Sequence, residues 1–114
     1  MYRQRWGNKY GNVSKIYNGI AYDSKKEAGY AADLDLRKMA GDIREWGRQF
    51  KVSLDVNGYH ICNYFVDFLI HHNGGGKELI EIKGFETEVW RLKRKLLEAI
   101  FLKENPEYEY TVIK

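Results

Sequence analysis

The stretch LIEIKG at residues 79–84 has the apolar character of a buried strand, yet it carries Glu81 and Lys83. Side chains alternate along a strand, so both charged residues share a face with Leu79, while Ile80 and Ile82 share the other face. Charges on the inner part of a strand cost free energy unless something compensates for them. We expect the compensating group to be a divalent metal ion.

The sequence before this stretch predicts a three-stranded meander that ends in it. Residues 50–56 alternate apolar and polar side chains, which is typical of a strand. Asn57 and Gly58 predict a two-residue type I′ hairpin turn. The apolar run YHICNYFVDFLIHH then predicts a second strand covered on both faces, and NGGG at residues 73–76 predicts the turn into the third strand.

A helix is predicted on each side of this meander. The first is YDSKKEAGYAADLDLRKMAG, with Asp23 or Ser24 as its N-cap and Gly41 at its end. Thr87 is predicted to cap the second. The stripes predicted to face the core are Ala28, Ala32, Leu36 and Met39 in the first helix, and Val89, Leu92, Leu96, Ala99, Ile100 and Lys103 in the second.

The order of these elements predicts the fold class. Pro106 stops the second helix, and YEYTVIK closes the chain as a fourth strand. Helix, three strands, helix and strand form an αβββαβ order, which predicts an α/β fold with a central mixed sheet flanked by helices. With 114 residues, the chain fits a single domain over residues 1–114.

Composition and charge narrow the classes of function. The single cysteine excludes an internal disulfide and a cysteine-based zinc cluster. Apolar runs are far shorter than the ~20 residues of a membrane span, and the N-terminus has no apolar signal core, so we expect a cytoplasmic protein without a membrane partner. Residues 1–19 interleave basic and aromatic side chains, which suits a polyanion with stackable bases. The candidate nucleic-acid contacts are Arg3, Arg5, Trp6, Lys9, Lys15, Lys25, Arg91, Lys93, Arg94 and Lys95.

The hairpin register predicts that a second acid lies beside Glu81. If His71 pairs with Lys77, Asp67 lies directly opposite Glu81. Two facing carboxylates repel each other, so one is protonated, a cation lies between them, or the register is wrong. Mg²⁺ or Mn²⁺ bound by Asp67 and Glu81, with the backbone carbonyl of Ile82 as a third oxygen ligand, fits this arrangement.

Two further residues are candidates near this pair. Lys83 would project beside the metal, where it can position a water molecule or stabilise charge on a phosphate. The simple Asn57-Gly58 register places Arg48 opposite Asp67, but a one-residue bulge would place Gln49 there instead. Either residue, Arg48 or Gln49, is therefore a candidate for an accessory role in the site.

The motifs VDF (residues 66–68) and EIKG (residues 81–84), after a helix that contains SKKEA and before a basic helix, resemble the PD-(D/E)XK nuclease superfamily. Within it, the chain is similar to small phage-encoded proteins and, in size and layout, to archaeal-type Holliday-junction resolvases. The resemblance implies a restriction-endonuclease-like core with Asp67, Glu81 and Lys83 as catalytic residues. It also implies a metal-directed role for Glu27, although the Ser24–Glu27 spacing equally fits a capping box. Val66 stands where the superfamily's name has proline.

These features predict a Mg²⁺-dependent DNA endonuclease, from a phage or a phage-derived gene, that acts in the host cytoplasm. Branched or structured DNA is the expected substrate, because 114 residues leave little room for a base-reading module. A homodimer would let two sites act on two strands. The alternatives are a non-catalytic nucleic-acid-binding module and an RNA-cleaving enzyme. Retention of two repelling buried acids argues for the enzyme.

Overall fold

The computed structural model of the chain describes residues 15–114, and it contains six strands and two helices in that range. The elements, in chain order, are β1 (Ile16–Tyr17), β2 (Ile20–Ala21), α1 (Lys25–Met39), β3 (Glu45–Val56), β4 (Tyr59–His71), β5 (Lys77–Ile82), α2 (Glu88–Leu96), a π-helical segment (Leu97–Leu102) and β6 (Tyr108–Ile113). The chain divides into two compact units, the first ending at Leu36 and the second running from Arg37 to Lys114.

The second unit is built on a four-stranded mixed sheet in the order β3-β4-β5-β6. The first two pairings are antiparallel, and β6 runs parallel to β5. A parallel neighbour requires a crossover connection, which α2 and the π-helical segment provide. The α/β class and the element order that the sequence predicts are confirmed.

Two hairpins are closed by Asn-Gly turns. Asn18 and Gly19 join β1 to β2, and Asn57 and Gly58 join β3 to β4; all four residues have positive φ values between 52° and 83°. Positive φ at both central residues defines the type I′ turn, whose twist matches that of the flanking strands. The turn predicted at residues 57 and 58 is confirmed.

A bulge near this turn changes the register of β3 against β4. Leu54 pairs with Cys62 and Asp55 pairs with His60, which leaves Ile61 as an extra residue on β4. Every pair between the bulge and the start of β3 is consequently shifted by one residue from the simple hairpin register. The prediction that β4 is covered on both faces is wrong at this end, because Ile61 and Phe65 are about half exposed. It holds farther along, where Val66, Asp67 and Phe68 are all buried.

The ends of α1 follow the predicted signals, but its buried face does not. Ser24 is the N-cap, and its Oγ accepts the Glu27 N–H at 3.1 Å. Gly41 follows the helix with a φ of 82°. The predicted stripe is wrong at its C-terminal half, where Leu36 and Met39 are exposed; the buried residues of α1 are Glu27, Ala28, Ala31 and Leu34.

The face of α2 that packs on the sheet also differs from the predicted stripe. Thr87 caps α2 as expected, with its Oγ1 accepting the Trp90 N–H at 3.1 Å. Val89 and Leu92 are exposed, whereas Trp90 and Leu97 are buried in the core of the second unit. The wider turns of a π-helix bring residues five apart onto one face, so Leu97 and Leu102 both pack toward the sheet. Neither helix is long and apolar enough to cross a membrane, within the part of the chain that the structure describes.

Candidate functional site

Asp67 and Glu81 come together where β4 and β5 separate. The last backbone pair of the two strands is Phe68 with Ile80, in the register predicted from the sequence. Beyond it, the Asp67 N–H donates to Glu81 Oε1 at 3.3 Å, and the Ile82 N–H donates to Asp67 Oδ2 at 2.8 Å. Each acid thus accepts a hydrogen bond from the backbone of the opposite strand, and the two carboxyl groups are held next to each other.

Burial and repulsion by Asp67 perturb the ionisation of Glu81. Asp67 is 8% exposed and Glu81 is 5% exposed. Burial raises the pKa of Glu81, and the neighbouring charge of Asp67 raises it further, to about 7. The Asp67 N–H, Lys83 and the Trp90 indole oppose this shift and stabilise the carboxylate. A buried acid with a pKa shifted in this way is a common property of functional sites.

Glu81 lies in a cleft of about 290 Å³ between the sheet and the start of α2. The cleft is lined by Tyr64, Phe65, Glu81, Lys83, Thr87, Val89, Trp90 and Lys93. Lys83 Nζ lies 5.4 Å from the centroid of the Trp90 ring, within cation–π distance. This contact holds the lysine in the same cleft as Glu81, although β5 itself ends at Ile82.

A hydrogen-bonded aromatic network supports the floor of the cleft. Trp90 Nε1–H donates to the Tyr64 hydroxyl at 3.1 Å, and the Tyr64 and Tyr110 hydroxyls are 2.7 Å apart. Burial raises the pKa of Tyr64, so its hydroxyl stays protonated and remains a donor. The Arg94 guanidinium lies 5.7 Å from the Trp90 ring centroid and 5.9 Å from that of Tyr110. Trp90, against which Lys83 lies, is thus itself in contact with Tyr64 and Arg94.

The bulge places Gln49 level with Asp67. Gln49 lies between the pairs Arg48–Phe68 and Phe50–Val66, so the simple register, which placed Arg48 there, is wrong. Gln49 is exposed and has a φ of 54°. Positive φ is uncommon for a residue other than glycine and often marks a functional or strained position. Its role as an accessory site residue stays a prediction.

Glu27 lies in the first unit, on the first turn of α1, and is 6% exposed. Its backbone N–H makes the bond to Ser24 that a capping box requires. A carboxylate in the first turn also interacts favourably with the helix dipole. The capping and metal-directed interpretations of Glu27 both stay predictions.

The donor groups at the strand opening fit a hard divalent cation. No cluster of three or more His, Cys, Asp or Glu side chains suitable for a metal occurs among residues 15–114. Mg²⁺, however, is commonly held by one or two carboxylates together with water and substrate phosphate. A carboxylate carries about four lone-pair sites, and the backbone hydrogen bond from the opposite strand occupies one site on each acid. A cation beside Asp67 and Glu81 would also relieve the repulsion that raises the pKa of Glu81.

The predicted nucleic-acid contacts are found in different environments. Lys93 lines the cleft, and Lys95 is exposed on α2. Arg91 pairs with Glu86 at 3.4 Å, and Arg94 pairs with Glu98 at 3.6 Å. Lys15 and Lys25 are exposed in the first unit. The remaining four, Arg3, Arg5, Trp6 and Lys9, lie outside the described residues.

Sequence reasoning missed the aromatic residues that build the cleft. Trp90 lies outside the core-facing stripe predicted for the second helix, yet it is buried and contacts Lys83. Tyr64 and Tyr110 are 46 positions apart, so no local pattern links them. The signal that could have indicated such a network is the large number of Tyr and Trp residues, because a buried Tyr or Trp needs a hydrogen-bond partner.

Comparison with known proteins finds one family. A family model described as "Protein of unknown function (DUF1064)" matches residues 7–113. No curated protein and no solved structure matches the chain. The family match extends over the four-stranded sheet, α2 and all residues of the cleft.

Proposed function

Because the chain belongs to the DUF1064 family, and that membership brings no activity with it, we propose from the site itself that the protein is a Mg²⁺- or Mn²⁺-dependent DNA endonuclease. The observation that carries the proposal is the pairing of two buried carboxyl groups at the strand opening, with Lys83 in the same cleft as one of them, Glu81. The order Asp67, Glu81, Lys83 along the chain is also the one expected from the resemblance to the PD-(D/E)XK superfamily. We place the activity in the host cytoplasm.

The chemistry assigned to each residue follows from its surroundings. Asp67 and Glu81, with the carbonyl of Ile82, would hold the metal ion, which would supply an activated water molecule and polarise the phosphate. The ammonium group of Lys83 would stabilise negative charge that develops on the phosphate oxygens. Trp90 limits the positions open to Lys83, so the cation would be preorganised before the phosphate arrives.

The test is cleavage of labelled linear duplex, single-stranded, flap and four-way DNA, with Mg²⁺ or with EDTA. Lys83→Met removes the charge while keeping the length of the side chain. Lys51→Met, at an exposed position of β3, is the matched control. We expect Lys83→Met to reduce the cleavage rate roughly 100-fold, as removal of a charge-stabilising group typically does. Full activity in Lys83→Met, or in Asp67→Ala, would refute the assignment.

A non-catalytic nucleic-acid-binding module is the second candidate, favoured by one observation. The acids exchange hydrogen bonds with the backbone, which gives them a structural role that needs no metal. This candidate predicts binding that weakens with salt and is never followed by cleavage. An RNA strand in the same assay tests the RNA-cleaving alternative.

The proposed substrate is branched or structured DNA, and the proposed assembly is a homodimer. Two copies would place two sites on two strands. Gel filtration with four-way DNA, at micromolar protein, should show two copies per junction. A monomer in the presence of that DNA would remove the dimer from the proposal.

A further inference from the structure

The cleft beside Glu81 combines apolar side chains with two lysines, Lys83 and Lys93. Phe65 and Val89, both on its lining, are 49% and 65% exposed. What distinguishes Phe65 and Val89 from the other exposed apolar side chains is that both line one cleft together with charged groups. The cleft therefore offers a ligand an apolar contact surface.

The charges in the cleft select an anion. Lys83 and Lys93 both line it, and neither forms an ion pair with a carboxylate among the described residues. The neighbouring arginines differ in this respect, because Arg91 and Arg94 are paired with Glu86 and Glu98. The lining thus carries two ammonium groups and one carboxyl group, that of Glu81, so positive charge predominates in the cleft.

We propose that this cleft binds one unpaired nucleotide, with its base against Phe65 and Val89 and its phosphate between Lys83 and Lys93; the proposal rests on the nucleic-acid function proposed above. A nucleotide joins a flat apolar ring to an anion within one ligand, which matches the two halves of the cleft. Base–aromatic stacking tolerates any sequence, because every base has a π-face. A paired base is stacked within its helix and cannot offer that face.

The cleft thereby suggests which structured DNA the protein acts on. Single strands, flaps and junctions with an unpaired nucleotide next to the scissile phosphate would be held, and continuous duplex would not. Selectivity would come from access to one base and would need no sequence-reading module.

The experiment measures binding in EDTA, by fluorescence anisotropy, of a labelled single-stranded oligonucleotide, its duplex, and the same strand made of abasic sites. Phe65→Ala is compared with Ile61→Ala, a residue of the same strand with nearly equal exposure that lies outside the cleft lining. Lys93→Ala is compared in the same way with Lys103→Ala, an exposed lysine at the end of the π-helical segment that is not among the candidate nucleic-acid contacts. Thermal unfolding of each variant verifies the fold.

We expect Phe65→Ala to weaken binding of the single strand roughly tenfold, as loss of one base stack does, and to leave duplex and abasic binding unchanged. Lys93→Ala should weaken binding to the normal and the abasic strand alike. Equal single-strand affinity in wild type and Phe65→Ala, equal losses on duplex and single strand, or no single-strand binding would overturn the pocket.

Cleavage has no part in this measurement, so the two proposals can fail separately. A protein that cuts no DNA but shows the Phe65-dependent preference supports the pocket and removes the nuclease. A protein that cuts DNA while Phe65→Ala binds like wild type removes the pocket alone.

Discussion

Replacing Glu81 with glutamine should change how the stability of the metal-free protein depends on pH. In the unfolded chain, the Glu81 carboxyl loses its proton near 4.5, whereas in the folded chain its pKa is about 7. Between these values the folded state binds one more proton than the unfolded state, so the free energy of unfolding falls as pH rises. The contribution of Glu81 is thus fully present below pH 4.5 and lost above about 7.

The size of this effect follows from the shift. At ~1.4 kcal/mol per pKa unit, the change from 4.5 to about 7 corresponds to at most about 3.5 kcal/mol. We expect roughly 2 kcal/mol, because Glu81 lines an open cleft where solvent screens part of the interaction. Glutamine resembles the protonated acid in shape and cannot ionise, so Glu81→Gln should keep its stability through this window.

Urea denaturation in EDTA, followed by tryptophan fluorescence across this pH range, measures the difference between Glu81→Gln and wild type. Glu104→Gln, at an exposed position just after the π-helical segment, is the control. Saturating Mg²⁺ should raise the stability of wild type at the alkaline end and leave Glu81→Gln unchanged, because a bound cation favours the ionised acid. Parallel pH profiles of wild type and Glu81→Gln would contradict the argument.

Three further substitutions test the packing, a turn and the helix cap. Leu97→Ala should lower the free energy of unfolding by about 2–4 kcal/mol through a core cavity, whereas Leu92→Ala, exposed on α2, should change it little; equal losses in urea denaturation would mean that the buried face is misassigned. Gly58→Ala should cost about 1 kcal/mol because its φ is 83°, and Gly74→Ala, with no positive φ and open space around it, should cost less. Glu27→Gln should retain its thermal stability if Glu27 only caps α1, and a loss of Mg²⁺-dependent cleavage at unchanged stability would instead assign Glu27 to the metal.

The strands and the pairing of the two acids were predictable because local chemistry determines them. Asn57 and Gly58 adopt the turn that their residue types favour. The pair His71–Lys77 sets the register of β4 against β5, and from that pair the approach of Asp67 to Glu81 follows by counting.

The remaining features depend on tertiary packing, which a linear pattern does not contain. The bulge at Ile61 has no local sequence signal, yet it decides that Gln49 and not Arg48 lies beside Asp67. The apolar stripe of α2 indicated Val89 as a core residue, but the core is filled by Trp90 because its ring also meets Tyr64 and Lys83. Propensity and periodicity are weak priors where one large aromatic residue can bury more area.

The hydrogen bonds that Asp67 and Glu81 accept from the backbone have a consequence for how the sequence can evolve. Each acid accepts a hydrogen bond from the backbone of the opposite strand, at the point where the two central strands β4 and β5 separate. Loss of either acid should therefore weaken the pairing of these strands. If the protein is a nuclease as proposed, a lineage that lost the activity would still be selected to keep both acids because the fold needs them, so their retention alone is weaker support for an enzyme than the sequence suggested. The side chain of Lys83 links no strands, and it would be the first of the three to drift. Position 83, more than the pair of acids, should therefore separate relatives that cut from relatives that only bind.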